Sequence, residues 1–353
     1  DFSSIGMVEL QGQNNYPCLY FEEGSSSSRS RIRKYLPGCD EGPCHAGIEC
    51  ELRERGCLYY DAVRRAKKSP IPVINYRYWM TTARYAEPGV LGPFDTLILD
   101  EAHDAARQLA DFVQITLDRK DVLSLLELHM PNSAYIDEWV DWAANEALLP
   151  CRQRLEMAKS HVSLYRQGIS VVRRLREMEA RLVDLAGARR WKRTDSASPS
   201  TWMPGTSTDW IVEESKTSIT FSPVWASGYA EDYLFTHIPK VILVSATVTP
   251  QDARYLGIDP SDLAYFEMPS PFHKSIRPFI VVPGASVSRN MSVGEERVWI
   301  NRIDQIIGIE GNVKGIIHAV SYDRAKFIIT KSKFASRMIL NDRKNLSKTV
   351  DDF

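Results

Sequence analysis

The sequence places two carboxylates and an imidazole directly after a short apolar run. The run ends in the letters LILDEAH, in which Asp100 and Glu101 are followed by Ala102 and His103. One carboxylate can hold a Mg²⁺ ion that bridges phosphate oxygens, and the next can orient or deprotonate an attacking water. We expect Asp100 to serve the metal, Glu101 the water, and His103 to couple the site to a neighbouring domain. The alternative is an ordinary strand-to-helix junction, because acidic residues suit the beginning of a helix.

A second apolar run of the same form occurs at 240–250, in the letters KVILVSATVTP. It ends on small polar residues that include Ser245 and Thr247. Two apolar strands that each deliver polar groups at their carboxyl end are typical of an open parallel α/β sheet, in which ligands bind beyond the carboxyl ends of the strands. The two runs together predict a nucleotide hydrolase.

Cysteines form the other group of residues that could do chemistry. Cys151 lies alone, and the other five occur within the first 57 residues: Cys18, Cys39, Cys44, Cys50 and Cys57. Crowding of this kind in an intracellular chain indicates metal binding before disulfides. Zinc usually takes tighter C-x2-C pairs, whereas an iron–sulfur cluster accepts thiolates from looser loops, so the spacing favours iron over zinc. The alternative is a set of buried free thiols.

Bulk composition narrows the class of protein without identifying it. The 353 residues are 44% hydrophobic and 25% charged, with a net charge of −1, which is ordinary for a globular protein of two or three domains. No apolar run is long enough to span a bilayer. We therefore expect a cytoplasmic protein that does not associate with membranes. The chain begins without a methionine, and we expect it to be a piece of a longer protein.

Periodicity outlines the elements that must position these residues. Short strands are predicted in IPVINYRYWM and LILDEAH, with a helix in YWMTTARYA between them. Apolar residues three and four apart predict a helical insertion from about 104 to 193, beginning with a helix through AARQLADFVQITL. After a Ser, Thr and Pro linker at 194–209, β-like sequence resumes in WIVEE and SITFSPVW. Beyond 290 we predict a helix in EERVWINRIDQIIGI, a strand in VKGIIHAVSY and a helix in DRAKFIITKS.

The order of these motifs resembles the iron–sulfur DNA helicases of superfamily 2, the XPD and DinG group. QGQNNYPC resembles the entry to that family's cluster domain, and GCLYYDAVRRAKKSPIPVINYRYWM resembles its return to the motor. LILDEAH resembles motif II, VILVSAT motif III, SPFHKSIRP the exit from the first motor domain, and GIIHAVSYDRAKFI motif IV. The resemblance follows nearly the whole chain in order.

The resemblance implies an α/β fold. It consists of a RecA-like parallel-sheet motor domain with two insertions, followed by the start of a second RecA-like domain. The implied divisions are the end of the motif Ia region (1–15), an iron–sulfur domain (16–69), motor domain 1 with motif II (70–103), a helical arch (104–209), motor domain 1 with motif III (210–288), and the start of motor domain 2 with motif IV (289–353).

The resemblance also implies ligands and partners. ATP and Mg²⁺ would bind at Asp100, with Ser245 and Thr247 coupling the nucleotide to the DNA groove. A [4Fe–4S] cluster would bind to Cys18, Cys44, Cys50 and Cys57, with Cys39 as the alternative to Cys18. The implied activity is ATP-dependent, 5′-to-3′ unwinding by a monomer on single-stranded DNA and duplex junctions, in DNA repair. The segment YYDAVRRAKK after Cys57 either binds the strand or is a solvated helix with packed tyrosines.

The sequence departs from the family pattern in two respects. It stops before the arginine-bearing motif that the second motor domain supplies to stabilise charge on the transferred phosphoryl group. It contains no G-x-x-x-x-G-K-[ST] phosphate loop, and in the family that loop lies upstream of motif II. We expect the chain by itself not to hydrolyse ATP. Two alternatives stay open: a non-catalytic helicase-like protein that binds nucleic acid, and a helicase-like nuclease whose nuclease domain lies outside these residues.

Overall fold

A computed structural model describes residues 5–21, 36–85, 91–161, 166–188, 192–193, 202–203, 210–276, 278–288 and 290–341. The chain forms two compact units, Asp1–Phe266 and Glu267–Phe353. The boundary between the units precedes position 289, at which the resemblance places the start of motor domain 2. Most of the 194–209 linker lies outside the described residues.

Strands and helices alternate in the first unit and helices dominate the second. The strands are β1 (Met7–Leu10), β2 (Ile71–Ile74), β3 (Thr96–Asp100), β4 (Ile115–Asp118), β5 (Lys192–Arg193), β6 (Trp202–Met203), β7 (Trp210–Glu214), β8 (Ser218–Pro223) and β9 (Lys240–Val244). The α-helices are α1 (Leu58–Lys68), α2 (Tyr76–Tyr85), α3 (Ala105–Val113), α4 (Arg119–Leu126), α5 (Ile136–Trp142), α6 (Leu148–Ser160), α7 (Arg166–Ala186), α8 (Pro250–Tyr255), α9 (Val293–Glu310) and α10 (Tyr322–Lys331). None of the described helices is long and apolar enough to cross a membrane.

The first unit contains two pairs of parallel strands. β1 pairs with β2, and β3 pairs with β9 in a register that sets Asp100 opposite Val244. The predicted parallel α/β arrangement is confirmed in this form. In the described residues, however, the strands form two separate pairs, and the exposed side chains include Ile98 and Ile242. The apolar runs also predict that these strands are buried. In the described residues the burial is partial: Leu99 is 5% exposed, but no described element covers the face that carries Ile98 and Ile242.

The helices predicted from about 104 to 193 are present between α3 and α7, and the same region also contributes a strand to a sheet. β4, β8 and β7 form an antiparallel sheet in that order, and its side chains pack with the helices around Trp139 and Phe221. The predicted helix through AARQLADFVQITL is wrong beyond Val113, because Ile115 and Leu117 alternate with polar residues and face the core from a strand. The sheet joins strands from both sides of the predicted 209/210 boundary.

The longest described helix is α7. Its buried residues recur at spacings of three and four along one side, namely Ile169, Val172, Leu175, Met178, Leu182 and Leu185. This spacing is typical of an amphipathic helix that packs one stripe against a core. The helix packs its buried stripe against α6 and the antiparallel sheet.

The second unit holds α9 and α10. α9 begins at a capping box in which Ser292 and Glu295 satisfy each other's backbone amides. The strand predicted in VKGIIHAVSY is wrong: the described residues 313–320 form no strand, and Ile316 and Val320 are 87% and 90% exposed. A strand needs a neighbour to satisfy its backbone groups, and the described part of this unit contains no other strand.

Candidate functional site

The first candidate site lies where β3 and β9 end. Because the two strands are parallel and Asp100 is opposite Val244, the residues after each strand emerge at the same edge. Glu101 and His103 therefore lie beside Ser245, which is more than 140 residues away in the chain. This is the position at which open α/β sheets bind ligands.

A strained turn carries the Glu101 side chain. Glu101 has φ 51° and ψ 42°, in the left-handed region, which costs a residue with a Cβ on the order of 1–3 kcal/mol. Its amide donates to the Asp100 carboxylate at 2.9 Å, and its carbonyl accepts from the Asp104 amide at 2.9 Å. Local hydrogen bonds thus offset the strain, and the turn aims the Glu101 carboxylate toward the end of β9.

Three side chains meet at this edge. The Ser245 Oγ lies 2.7 Å from His103 Nδ1 and 3.3 Å from Glu101 Oε2, while His103 Nδ1 lies 3.3 Å from the same carboxylate oxygen. The Thr247 amide donates to Ser245 Oγ at 3.2 Å. The Glu101 side chain is 68% exposed, so it remains accessible to water and to a ligand. An exposed carboxylate held by a hydroxyl and an imidazole can accept a proton from a bound water.

The second candidate site is a cleft lined by all five N-terminal cysteines. The lining of this solvent-connected cleft also includes Tyr59 and Tyr60. Its cysteines are Cys18, Cys39, Cys44, Cys50 and Cys57. Every cysteine in the chain is a free thiol. A hydrogen bond from Cys39 lowers the pKa of Cys18 to about 7 and raises the pKa of Cys39, because the shared proton stays on Cys39. The cleft therefore stabilises a thiolate at Cys18.

A glycine lies in the wall of this cleft. A Cβ at Gly42 would lie 2.7 Å from the Cys18 sulfur, so glycine at this position keeps the wall of the cleft open. Within the described ranges, no three His, Cys, Asp or Glu side chains are arranged to hold a single metal ion. A four-iron cluster makes a different demand, because four thiolates each bind the cluster and need not converge on one ion. The five thiols line one cleft in the described structure.

The cysteine left over by the sequence resemblance lies in this cleft with the other four. The Cys39 sulfur lies 3.7 Å from the Pro17 carbonyl oxygen and shares a hydrogen bond with Cys18. The two candidates for the fourth ligand are thus neighbours. Cys151 is buried in α6, where its thiol donates to the Leu175 carbonyl at 3.6 Å. It belongs to the core of the insertion.

The two tyrosines in the aromatic and basic segment after Cys57 are packed against neighbouring side chains. Tyr59 is buried, and its hydroxyl lies 2.8 Å from that of Tyr78. Tyr60 packs under the guanidinium of Arg53, whose carbon lies 5.0 Å from the ring centre. The two tyrosines are therefore part of the wall around the cysteines. Exposed cations of α1 lie beyond them at Arg65, Lys67 and Lys68.

One contact at the first site has no signal in the sequence. The Tyr76 hydroxyl donates to the backbone carbonyl of Asp100 at 2.8 Å. A backbone carbonyl has no residue type, so no motif could reveal this bond.

Comparisons with known proteins give a limited result. No family model matches the chain, and no curated protein sequence matches it. Among solved structures, the chain is similar to one described as an XPD helicase, with 14% sequence identity and a TM-score of 0.44. The alignment covers 94% of this chain and 62% of that one. The chain thus spans less than two thirds of the length of that structure.

Proposed function

We propose that these residues are the central part of an ATP-dependent DNA helicase that carries an iron–sulfur cluster. The observation that carries the proposal is the hydrogen-bonded set of Glu101, His103 and Ser245 at the carboxyl ends of two parallel strands. An acidic turn at this position is the arrangement that nucleotide hydrolysis requires. The phosphate loop would come from residues upstream of this chain.

Each residue of the first site has a role in this proposal. Asp100 would hold Mg²⁺, which neutralises charge on the phosphates when bound. Glu101 would accept a proton as water attacks the γ-phosphorus and the bond to ADP breaks. Ser245 contacts both Glu101 and His103, so it would transmit the state of the nucleotide to β9 and the polar turn that contains Thr247.

The uncovered face of the β3 and β9 pair is consistent with a larger motor domain. Ile98, Ile242 and Val244 are 63%, 47% and 44% exposed. Parallel strands are normally covered on both faces. In the proposal, further strands and helices of motor domain 1 cover these side chains and bring the phosphate loop to the edge that holds Asp100.

Glu101→Gln in the full-length protein tests the first site. Loss of a general base lowers turnover by about 10²- to 10⁴-fold, and the amide should leave nucleotide binding unchanged. Turnover is measured by phosphate release, and binding by titration with a fluorescent ATP analogue. Glu146→Gln in the helical insertion is the matched control, with wild-type turnover expected. Wild-type turnover in Glu101→Gln would reject the assignment.

The cysteine cleft would hold a [4Fe–4S] cluster through four of its five thiolates. A bound cluster would cross-link the loops of residues 16–69, in which the described side chains bury few apolar groups. Anaerobic purification followed by iron, sulfide and absorption measurements tests this part. Cys50→Ser should lose iron, whereas Cys151→Ser should keep it. A colourless, zinc-loaded protein would contradict the cluster.

The fourth ligand can be assigned by a pair of variants. Cys18→Ser and Cys39→Ser remove neighbouring thiols from the same wall, so their effects on folding should be similar. We propose Cys18 as the ligand, because QGQNNYPC resembles the entry to the family's cluster domain, where the first ligand lies. Cys18→Ser should lower the iron bound per chain and Cys39→Ser should not. The reverse result would assign Cys39.

Single-stranded DNA would bind partly along α1. Its carboxyl-terminal half exposes Arg65, Lys67 and Lys68, and each cation that contacts phosphate contributes about one unit to the salt dependence of binding. Lys67→Ala with Lys68→Ala should weaken binding to an oligonucleotide and reduce the slope against salt by about two. Lys120→Ala with Lys159→Ala, in the helical insertion, is the matched control. An unchanged slope in the α1 variant would remove α1 from the DNA path.

A further inference from the structure

Tyr76 connects the start of α2 to the acidic turn. Asn75 caps α2 by accepting the Tyr78 amide at 2.8 Å, which places Tyr76 in the first turn of the helix. The Tyr76 ring is half-buried against the core of the first unit, and its hydroxyl donates to the Asp100 carbonyl at 2.8 Å. A ring held by packing presents its hydroxyl in one direction.

The bond acts on the peptide unit that sets the conformation of Glu101. This unit consists of the Asp100 carbonyl and the Glu101 amide. The amide of this peptide unit donates to the Asp100 carboxylate at 2.9 Å, and its carbonyl oxygen accepts from the Tyr76 hydroxyl. Rotation of this peptide changes φ of Glu101, which has the left-handed value of 51°. Both ends of the peptide must therefore be held to keep the strained conformation.

We propose that Tyr76 is a positioning residue for Glu101. Its hydroxyl holds the peptide between Asp100 and Glu101 in the orientation that keeps the Glu101 carboxylate beside His103 and Ser245. The inference rests on the proposed function of Glu101 in ATP hydrolysis and deepens it. It adds a contact from α2 to the acidic turn.

The chemistry of the phenol supports a lasting donor. The pKa of an ordinary tyrosine phenol is about 10. The hydroxyl is therefore protonated at neutral pH. The Asp100 carboxylate can release the Glu101 amide when it binds another partner. The hydrogen bond from the Tyr76 hydroxyl to the Asp100 backbone carbonyl does not involve that carboxylate, so it persists.

Tyr76→Phe in the full-length protein removes this donor and keeps the ring. We expect kcat for ATP to fall about five- to tenfold, the factor for loss of one hydrogen bond, while KM stays within about twofold. Tyr85→Phe is the matched control, because it removes a hydroxyl from the other end of α2, where it contacts Asp184 at 3.3 Å. Its kcat should match wild type.

Two further measurements separate positioning from a general loss of structure. Hydrogen exchange of the segment 100–104 should be faster in Tyr76→Phe, with the unfolding midpoint close to that of Tyr85→Phe. In a Glu101→Gln background, Tyr76→Phe should lower the residual kcat less than twofold, because its effect acts through Glu101. An equal loss in both backgrounds, or unchanged exchange at 100–104, would overturn the proposal.

The outcomes also distinguish this inference from the proposed function. Full turnover in Glu101→Gln would reject the role of Glu101 and the proposal for Tyr76 with it. Loss of turnover in Glu101→Gln together with wild-type kcat in Tyr76→Phe would reject only the positioning role. Lower kcat in Glu101→Gln and in Tyr76→Phe, with a double variant whose kcat is close to that of Glu101→Gln, would support both the role of Glu101 and the positioning role of Tyr76.

Discussion

Removing Arg84 should destabilise the first unit strongly, because Arg84 neutralises a carboxylate between α2 and α7. Arg84 forms an ion pair with Asp184, and the two side chains are only 13% and 17% exposed. Its guanidinium also lies over three rings, at 5.2 Å from Tyr85, 5.7 Å from Phe112 and 5.1 Å from Tyr233. The guanidinium therefore joins α2, α3, α7 and the segment Ala230–Phe235.

Two contributions set the expected loss of unfolding free energy in Arg84→Met. Removing one partner of a buried ion pair costs about 3–5 kcal/mol, and cation–π contacts add roughly 0.5–1 kcal/mol each. In Arg84→Met the methionine refills part of the space, and Asp184 keeps the Tyr85 hydroxyl. These two effects offset the ring contribution. We expect the free energy of unfolding to fall by about 4 kcal/mol at neutral pH.

The loss should depend on pH with a defined sign. Burial raises the pKa of Asp184 above its usual range even beside Arg84, and loss of Arg84 raises it further. A raised pKa means that the folded state binds the proton more tightly, so unfolding becomes easier as the pH rises through that value. The destabilisation by Arg84→Met should therefore be full at neutral pH and become small near about pH 4, where Asp184 is protonated in the folded variant.

Urea unfolding followed by tryptophan fluorescence measures these differences. Arg84→Met with Asp184→Asn removes the charge as well as its partner, so it should recover at least half of the loss at neutral pH. Arg152→Met is the control, since Arg152 pairs with Glu179 at 2.9 Å but is 54% exposed, and it should cost less than about 1 kcal/mol. A loss below about 1 kcal/mol in Arg84→Met, or a double variant no more stable than the single one, would refute the reasoning.

Two further predictions follow from close contacts. Gly42 has φ −79°, so alanine is acceptable to the backbone, but its Cβ would press on the Cys18 sulfur. Gly42→Ala should destabilise by about 1–3 kcal/mol and lower the iron bound per chain, as measured by urea unfolding and iron analysis; full iron content would contradict the fit. Ser245→Ala removes the hydroxyl between His103 and Glu101, so kcat for ATP should fall about three- to tenfold with unchanged nucleotide affinity. Wild-type kcat would show that the hydroxyl is dispensable.

Several elements could be predicted from the sequence because the relevant signal is local. The apolar runs before Asp100 and Ser245 formed parallel strands as predicted, since a short apolar run bounded by polar residues suits a strand. The spacing of buried residues in α7 likewise identified a helix. The mixed segment after Val113 was misassigned, because its alternation covers only four residues and overlaps a helical period.

The sequence pattern by itself could not predict structure that depends on a neighbouring element in space. The segment 313–320 has the composition of a strand, but strand formation requires a partner for its backbone groups, and the described residues of the second unit supply none. The same reason explains the exposed Ile98 and Ile242. Their side chains predict burial only where another element covers them.

The residue types at the two candidate sites were determined by the sequence alone: an acidic pair before His103, a polar turn at Ser245, and five clustered cysteines. Tertiary structure decided which of them meet. The parallel register of β3 and β9 joins residues more than 140 positions apart, and the packing of α2 brings the Tyr76 hydroxyl to a backbone carbonyl. Such contacts depend on distances through space, which local periodicity and composition do not specify.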